Sequence, residues 1–433
     1  MRKLFLLLII ILLPLAAFAS RVSEDSVYTL GLYGFIENDM SYDTRESYAI
    51  AQELFYIMPK DRRFDAKGND LNEVTRGRFL SLTARIGLTF ESPIYKGNVR
   101  FGGKIEGDFT ASNVAHLQVR HANAYVDWIR TYGNDGGKMH HRLMAGQAFH
   151  PMTDNMLPDM VSINTGAPFA PYSRTPQIRY NFLLPQLKVT AAALWKFQFA
   201  SPTITAESNA YSKMHEVPEL LLGIEYSKSH IKAGVQGSWM TIRPRTEVEV
   251  DNKTYKVDGE HCDSWTAQAY LTAFNRHWNF KIESMYGENV AHHLMVSGYA
   301  VTGGDEYKYE YSPLRMSNTW AEISYKTTNL KHNAMFAIFG GYMKNFGTAR
   351  NAISSEHVYS KWVNNIDQMF RTSAIVFYMF NDLKVGLEYE YTGVYYGDLR
   401  SDCRVDNTHL VGNHRASLVI LYNFNHKWNF GKK

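Results

Sequence analysis

Residues 80–90 read LSLTARIGLTF, and this stretch alternates between two kinds of side chain. Every even-numbered position, from Leu80 to Phe90, holds an apolar residue, whereas every odd-numbered position holds a polar residue or glycine. Successive side chains of a β-strand point to opposite faces of a sheet. The stretch therefore predicts a strand with one apolar face and one polar face.

The same period of two recurs further along the chain. Residues 99–109 place four charged side chains on one face and apolar side chains on the other, and residues 383–391 do the same with three charged side chains. A soluble β-sandwich would alternate in the same way, because its strands also have two different faces. Alternation alone therefore does not decide the fold class.

The connections between these strands are more informative, because short and long ones alternate. The seven short connections are residues 92–97, 132–140, 185–186, 227–229, 275–277, 327–329 and 381–382. The eight long, polar connections are residues 46–75, 111–116, 151–175, 201–218, 246–263, 289–315, 345–368 and 397–411. Fifteen connections join sixteen strands, and short turns at one end with long loops at the other are typical of bacterial outer-membrane barrels. We predict an all-β, 16-stranded antiparallel transmembrane β-barrel, with a secreted sandwich or propeller as the alternative.

Composition is compatible with this fold and excludes other classes. The 433 residues carry 46 Lys+Arg against 42 Asp+Glu, and 14% of them are aromatic. A mean hydropathy of −0.31 excludes a polytopic helical membrane protein, which needs apolar runs of about 20 residues. The near-neutral charge balance lacks the broad basic footprint of a nucleic-acid-binding protein.

The first nineteen residues have the pattern of a secretion signal. Arg2 and Lys3 precede the apolar run 4–13, and Ala17 and Ala19 are the small residues that signal peptidase reads. We predict cleavage after Ala19, with residues 20–433 forming a barrel in the outer membrane of a Gram-negative bacterium. A single anchoring helix is the alternative interpretation, but the apolar run is short and lacks a stop-transfer flank.

Aromatic residues end several of the predicted apolar rows, as the interfacial girdles of a membrane barrel require. The residues concerned are Trp195, Phe197, Phe199, Tyr226, Trp239, Tyr389 and Tyr391. The last predicted row ends near Phe424. The tail 424–430 resembles the turn sequence 274–280, so we expect it to fold back as a turn.

The polar faces define a lumen that sixteen strands leave too wide for side chains to fill. The basic residues predicted to face it are Arg85, Arg100, Lys104, Arg120, Arg179, Lys196, Arg371 and Arg415. The acidic ones are Glu106, Asp108, Asp127, Glu225, Glu283, Glu322, Glu388 and Glu390. Basic residues concentrate in strands two to seven and in strands fourteen and sixteen, whereas acidic ones dominate strands eight to fifteen. Either a transverse field or local ion pairs could result.

The loop 151–175 differs from the other long loops because it mixes apolar residues, prolines and acids. Asp154 and Asp159 lie in its first half, and Arg174 lies near its end. We expect this loop to fold inward and to narrow the lumen as a constriction loop, with an ordinary surface loop as the alternative.

Motifs within residues 76–182 resemble those of the DcaP-like porins and of porin relatives carried by Bacteroidota. They are RGRFLSLTARIGLTF, GKIEGDF, LQVRHANAYVDW, the stretch 146–149, Leu157-Pro158 and the stretch 174–180, in that order. The resemblance implies a homotrimeric porin for small anions such as dicarboxylates. It places Arg100, Lys104, Arg120 and Arg179 on the anion path, with Arg174 beside them.

Motifs for other chemistry are weak. The adjacent pairs His140-His141 and His292-His293 are interpreted as solvated loop or turn histidines, because neighbours on a strand point to opposite faces. No nucleophile elbow or phosphate-binding glycine loop occurs, so we predict no enzyme and no cofactor or metal. Cys262 and Cys403 fall in two long loops, where a disulfide and two separate thiols both remain open.

The sequence thus predicts passive diffusion of small hydrophilic solutes through an outer-membrane pore. A channel selective for sugars or hydrophobic ligands is one alternative. A surface enzyme or adhesin built on the same barrel is another, since a catalytic triad is recognised by geometry rather than by sequence order.

Overall fold

The computed structural model describes residues 27–95, 98–111, 116–132, 137–204, 214–328 and 332–431. The predicted signal peptide, residues 1–19, lies outside the described residues.

Within these ranges, sixteen antiparallel strands form a closed transmembrane barrel, as predicted. They are β1 (Tyr28–Asp43), β2 (Arg76–Leu80 and Arg85–Glu91), β3 (Val99–Ala111), β4 (His116–Tyr132), β5 (Gly137–Phe149), β6 (Arg174–Leu183), β7 (Leu187–Leu194), β8 (Glu219–Lys228), β9 (Ile231–Ile242), β10 (Cys262–Phe274), β11 (Trp278–Glu288), β12 (Arg315–Lys326), β13 (His332–Gly347), β14 (Ile366–Phe380), β15 (Leu383–Leu399) and β16 (Val405–Phe430). Pairing of β1 with β16 closes the barrel.

The stretch that indicated the fold is not one continuous strand. Leu80 of β2 pairs with Asp39 of β1, and Arg85 of β2 pairs with Phe35. The two β2 residues are five positions apart, whereas their partners on β1 are only four positions apart. The extra residue is a β-bulge, and Thr83 Oγ1 donates a hydrogen bond to Asp39 Oδ2 there (2.6 Å). The bulge reverses the alternation, so inward-facing residues are even-numbered before it and odd-numbered after it.

The C-terminal tail also differs from the expectation. Residues 424–430 do not fold back as a turn but extend β16, and the register runs without a break from Asp43 opposite Arg415 to Tyr28 opposite Phe430. The long first strand supplies hydrogen-bonding groups for the whole tail, which outweighs the local turn-like sequence.

The two faces of the wall match the predicted pattern. In β10, Trp265 and Leu271 face outward and are exposed, whereas Gln268 and Tyr270 face inward and are buried. Among the predicted girdle residues, Trp195 and Phe197 are exposed, but Phe199 is buried and packs inside. No helix among the described residues is long and apolar enough to cross a membrane.

The loops carry short elements of their own. Two hairpins pair Ser47–Ile50 with Phe55–Pro59 and Glu247–Val250 with Lys253–Lys256. A three-stranded sheet joins Gly298–Asp305, Lys308–Pro313 and Val358–Ser360. The helix α1 spans Pro151–Asp154, and 3-10 turns span Val290–His293 and Ser355–His357.

Three loop segments fold into the barrel and build its apolar core. They are the inserted hairpin (residues 47–59), the inserted segment (residues 151–173) and the inserted turn (residues 289–297). Their buried side chains pack against inward-facing residues of β11 to β16, among them Trp320, Phe339, Met369 and Phe377. That side of the lumen is therefore filled, and the free interior lies toward β2 to β9.

Candidate functional site

Carboxylates on β12 and β15 form hydrogen bonds with backbone amides of the inserted segment. These strands belong to the wall on the filled side of the lumen, β11 to β16, which we call the far wall. Glu388 Oε2 on β15 accepts hydrogen bonds from the amides of Val161 (2.8 Å) and Ser162 (2.9 Å). Glu322 Oε2 on β12 accepts one from the Asp159 amide (2.6 Å). Hydrogen bonds to a charged acceptor are among the stronger ones in proteins, so the segment is fixed across the lumen.

Arg371 on β14 binds two of the three inserted elements, the inserted segment and the inserted hairpin. Its guanidinium donates to the carbonyl oxygen of Ala167 in the inserted segment (2.8 Å) and of Ile57 in the inserted hairpin (2.7 Å). A third hydrogen bond goes to Thr392 Oγ1 (2.9 Å), and Glu390 Oε1 lies 3.7 Å away. Because the side chain is fully buried, these contacts make Arg371 the principal clamp.

A glycine makes room for the inserted segment on the wall. A Cβ atom built on Gly341 would lie 2.5 Å from the ring of Phe169, whereas one on the neighbouring Gly340 would meet nothing within 4 Å. We expect Gly341→Ala to destabilise the barrel by about 1–3 kcal/mol through overpacking and to displace Phe169. Gly340→Ala is the matched control, and urea unfolding followed by tryptophan fluorescence gives the comparison. Equal stability of the two variants would show that Phe169 does not pack there.

The opposite wall carries the predicted basic residues, arranged around one buried carboxylate. Glu106 on β3 accepts from Arg120 Nε (2.9 Å) and from the Tyr33 hydroxyl (2.6 Å), and it pairs with Lys104 (3.0 Å) and with Arg85 (3.7 Å). Three of the predicted basic residues therefore meet at a single acid.

A second buried acid, Asp127 on β4, forms ion pairs in the part of this wall that is nearer the short turns, which we call its lower part. It pairs with Arg100 (3.0 Å) and accepts from Arg142 Nε (2.6 Å) and Nη2 (2.8 Å). Arg142 on β5 was not among the predicted residues, although it lies two positions beyond His140 in an alternating strand. Asp108 completes the set by pairing with Arg120 (2.6 Å).

Burial separates the two charges of these pairs. The side chains of Glu106, Asp108 and Asp127 are at most 4% exposed. Five basic side chains of this wall are 26–37% exposed, namely Arg85, Arg100, Lys104, Arg142 and Lys188. Arg120 is buried with the acids that it pairs with, and the exposed acids nearby are Glu91 and Asp154. The accessible surface of this wall therefore carries more basic than acidic side chains.

Two cavities lie along this wall. The lower cavity, about 610 Å³, is near the short-turn end and has five basic and three acidic lining residues: Lys104, Arg142, Arg179, Lys188, Lys427, Glu91, Asp154 and Glu225. The upper cavity, about 480 Å³, has four basic and two acidic ones: Arg85, Arg120, Arg174, Lys384, Glu37 and Asp108. The inserted segment lines both, and consecutive residues of β4, Arg120 and His121, line one cavity each.

Arg174 is the most unusual of the upper lining residues. It begins β6, is almost fully buried and packs against the rings of Tyr172 and Phe199 (5.9 and 5.5 Å to the ring centroids). In the described part of the chain, no group accepts a hydrogen bond from its Nε or Nη1. Burial alone would raise the pKa of the Tyr172 hydroxyl, but Arg120 and Arg174 hold that pKa below its ordinary value.

The two acids of the predicted constriction loop are both in ion pairs with the wall. Asp154 pairs with Arg179 (2.9 Å) and Asp159 with Lys281 (2.8 Å), which also contacts Glu322 (3.0 Å). The acids of β12 and β15 are covered by the inserted segment. Local ion pairs, one of the two open interpretations, are therefore present at this face.

Three residues singled out from the sequence lie away from the lumen. Lys196 does not line the lumen, because β7 ends at Leu194 and the Lys196 ammonium is buried, where it donates to Ser201 Oγ (2.6 Å). Cys262 and Cys403 are both free and buried in different apolar clusters, so the structure does not contain the disulfide that the sequence left open.

One histidine pair contradicts its interpretation as solvated. His292 and His293 are buried on the inserted turn, in contact with the equally buried His150. Burial lowers the pKa of His292 to about 4 and the pKa of His293 well below its ordinary value. The apolar sequence around them, VAHHLMV, is the signal that could have indicated an inward-folded turn.

Comparison with known proteins supports this architecture. No protein-family model and no curated protein matches the chain. Among solved structures, the outer membrane channel DcaP of Acinetobacter baumannii superposes with a TM-score of 0.62 at 17% identity, covering 92% of this chain and 97% of that one. OmpF of Salmonella typhi, in a complex with daunomycin, gives a TM-score of 0.50 at 14% identity, covering 91% and 97%. The likeness to the DcaP-like porins that the sequence motifs indicated is therefore confirmed at the level of the fold: this chain has the barrel fold of the DcaP channel.

Proposed function

We propose that the protein is an outer-membrane porin that allows passive diffusion of small hydrophilic solutes and favours anions, among them dicarboxylates. The observation that carries this proposal is the charge arrangement of the wall from β2 to β7, where Glu106, Asp108 and Asp127 are buried and five basic side chains are partly exposed to the interior water. Cations presented in this way attract anions into a low-dielectric passage and repel cations.

The two cavities form the solute path in this proposal. Lys104, Arg142 and Lys188 draw anions into the lower cavity, and Arg85 with Arg174 receives them in the upper one. The unsatisfied Nε and Nη1 donors of Arg174 give this buried guanidinium unused capacity to bind an anion. The inserted segment acts as the constriction, because it lines both cavities and is fixed to the far wall.

The proposal includes the setting predicted from the sequence. The signal peptide exports the chain, the apolar rows contact the lipid bilayer of the outer membrane, and the protein assembles as a homotrimer. No catalysis is expected, because the basic residues act through their charge alone.

Liposome swelling with the purified protein tests this function directly. We expect a four-carbon dicarboxylate to enter proteoliposomes several-fold faster than its uncharged diamide of the same size, since only the charge differs. Protein-free liposomes are the control for leakage. Equal entry rates would contradict the anion preference, and the absence of entry by either solute would contradict an open porin.

The alternatives predict other results. A sugar-selective or hydrophobic-ligand channel would exclude both small test solutes while it admitted its own ligand. A surface enzyme would bind or convert a substrate without solute flux.

A further inference from the structure

A cluster of buried histidines lies at the base of the inserted segment. His150 follows β5 and caps α1, whereas His292 and His293 belong to the inserted turn, far away in the sequence. One ring nitrogen from each of the three lies within 4.8 Å of the others. Glu219, the first residue of β8, joins them, with Oε1 3.3 Å from His150 Nε2 and Oε2 3.3 Å from His292 Nε2. All four side chains are almost completely buried.

The hydrogen bonds of the cluster are incomplete. Both ring nitrogens of His293 and Nδ1 of His292 lack a hydrogen-bond partner in the described part of the chain, whereas His292 Nε2 has only its 3.3 Å contact with Glu219 Oε2. Buried polar groups are normally satisfied, so three orphaned nitrogens beside one carboxylate need an explanation. The buried Lys196 ammonium donates to Ser201 Oγ and interacts electrostatically with Glu219, but it makes no hydrogen bond to these orphaned nitrogens.

We propose that His150, His292, His293 and Glu219 form a site for a divalent transition metal, with Zn²⁺ as the ion that fits best. Imidazole nitrogens with a carboxylate oxygen are a common zinc donor set. Donor atoms of a tetrahedral zinc site with bonds of 2.0–2.1 Å are about 3.3 Å apart, which is the spacing of both Glu219 contacts. The wider histidine spacing closes by about 1.5 Å through rotation of the rings, whose terminal torsions are soft.

Ligation replaces two existing hydrogen bonds of His150. Its Nδ1 accepts from the Met152 amide at 3.2 Å, and its Nε2 lies 3.3 Å from Glu219 Oε1. Binding the ion through Nε2 moves the ring proton to Nδ1, so both of these long hydrogen bonds are given up. The ion in return satisfies the orphaned nitrogens and neutralises the buried Glu219 carboxylate, which is costly without a counter-charge.

The site would fix the inserted segment at both of its ends. His150 immediately precedes the segment, and near its other end the Tyr172 amide donates to the His293 carbonyl oxygen (3.0 Å). A metal ion would thus cross-link the base of the segment to the inserted turn and to β8. This role does not depend on which solute passes through the barrel.

Metal content of the full-length folded protein tests the proposal. After refolding with excess Zn²⁺ and dialysis against metal-free buffer, we expect about one zinc per chain by mass spectrometry, and at most about a tenth of that in His292→Ala/His293→Ala. The adjacent pair His140→Ala/His141→Ala is the matched control and should retain the zinc. Wild-type protein without zinc, or a double variant with as much zinc as the wild type, would overturn the proposal.

A second, milder variant covers the case in which the double variant does not fold. Glu219→Gln keeps the shape of the side chain but removes the charge, and we expect its zinc affinity to fall about 10–100-fold. Co²⁺ is the spectroscopic probe, because the visible absorption of a tetrahedral cobalt site should appear in the wild type and weaken in Glu219→Gln. Identical cobalt spectra and affinities for the two proteins would exclude Glu219 from the site.

Discussion

Replacing two interior cations, Arg85→Gln and Lys104→Gln together, lowers the chloride-to-potassium permeability ratio about tenfold. A unit charge 4 Å from a permeating ion contributes about 1 kcal/mol even in a bulk-water dielectric, and 1.4 kcal/mol corresponds to a factor of ten. Both side chains face the interior water. The wall itself should persist, because Glu106 retains its contacts with Arg120 and Tyr33.

The matched control removes the same charge far from the path. Lys253 and Lys256 are exposed on the loop hairpin, and Lys253→Gln/Lys256→Gln should leave the permeability ratio unchanged. Zero-current potentials in planar bilayers under a KCl gradient measure both pairs. If the two double variants shifted the permeability ratio equally, the net charge of the protein rather than the β2–β7 wall would set the selectivity.

The second large effect is expected at the clamp. Arg371→Met leaves the buried carbonyl oxygens of Ala167 and Ile57 without their donor, so we expect the free energy of unfolding to fall by about 3–5 kcal/mol. Glu390 keeps the buried Arg415 opposite it on β16. Both inserted elements lose their shared attachment, and open-channel current should become larger and noisier.

Urea unfolding and single-channel recording measure the two consequences separately. Arg276→Met, in the exposed turn between β10 and β11, is the control and should change stability by no more than about 0.5 kcal/mol. Normal stability together with a quiet, unaltered current in Arg371→Met would contradict the role of Arg371 as the clamp.

The barrel was predictable because its pattern repeats. Alternation in segments such as 383–391 and the regular exchange of short and long connections predict sixteen strands, and the pairing confirms them. The bulge in β2 was less evident, although Phe79 and Ile86 both face lipid and lie seven positions apart, whereas an unbroken strand requires an even difference. Such a change from odd-numbered to even-numbered outward positions indicates an extra residue in the strand, that is, a β-bulge.

The interior of the barrel was harder to predict. Alternation of apolar and polar residues shows which side chains of a strand point inward, but it does not show which loop segments pack over them. Glu322 and Glu388 were correctly placed inward, yet only the folded chain shows that they bind the inserted segment. The inserted hairpin lies within residues 46–75, which the sequence pattern predicts only as a long, polar loop. Its sequence, with the apolar run 54–58, could have indicated burial.

The histidine cluster shows the same limitation. Its histidines come from the residue that follows β5 and from a loop more than a hundred residues later, and no local spacing connects them. Their meeting depends on an inserted turn that only tertiary packing positions.

The central claim is that water-facing cations on the β2–β7 wall make this barrel an anion-preferring pore. The most direct test is the reversal potential of the purified wild-type protein in a planar bilayer under a KCl gradient. We predict stepwise openings and a reversal potential with the sign of the chloride equilibrium potential. A reversal potential with the sign of the potassium equilibrium potential, or a silent bilayer with folded protein, would contradict the account.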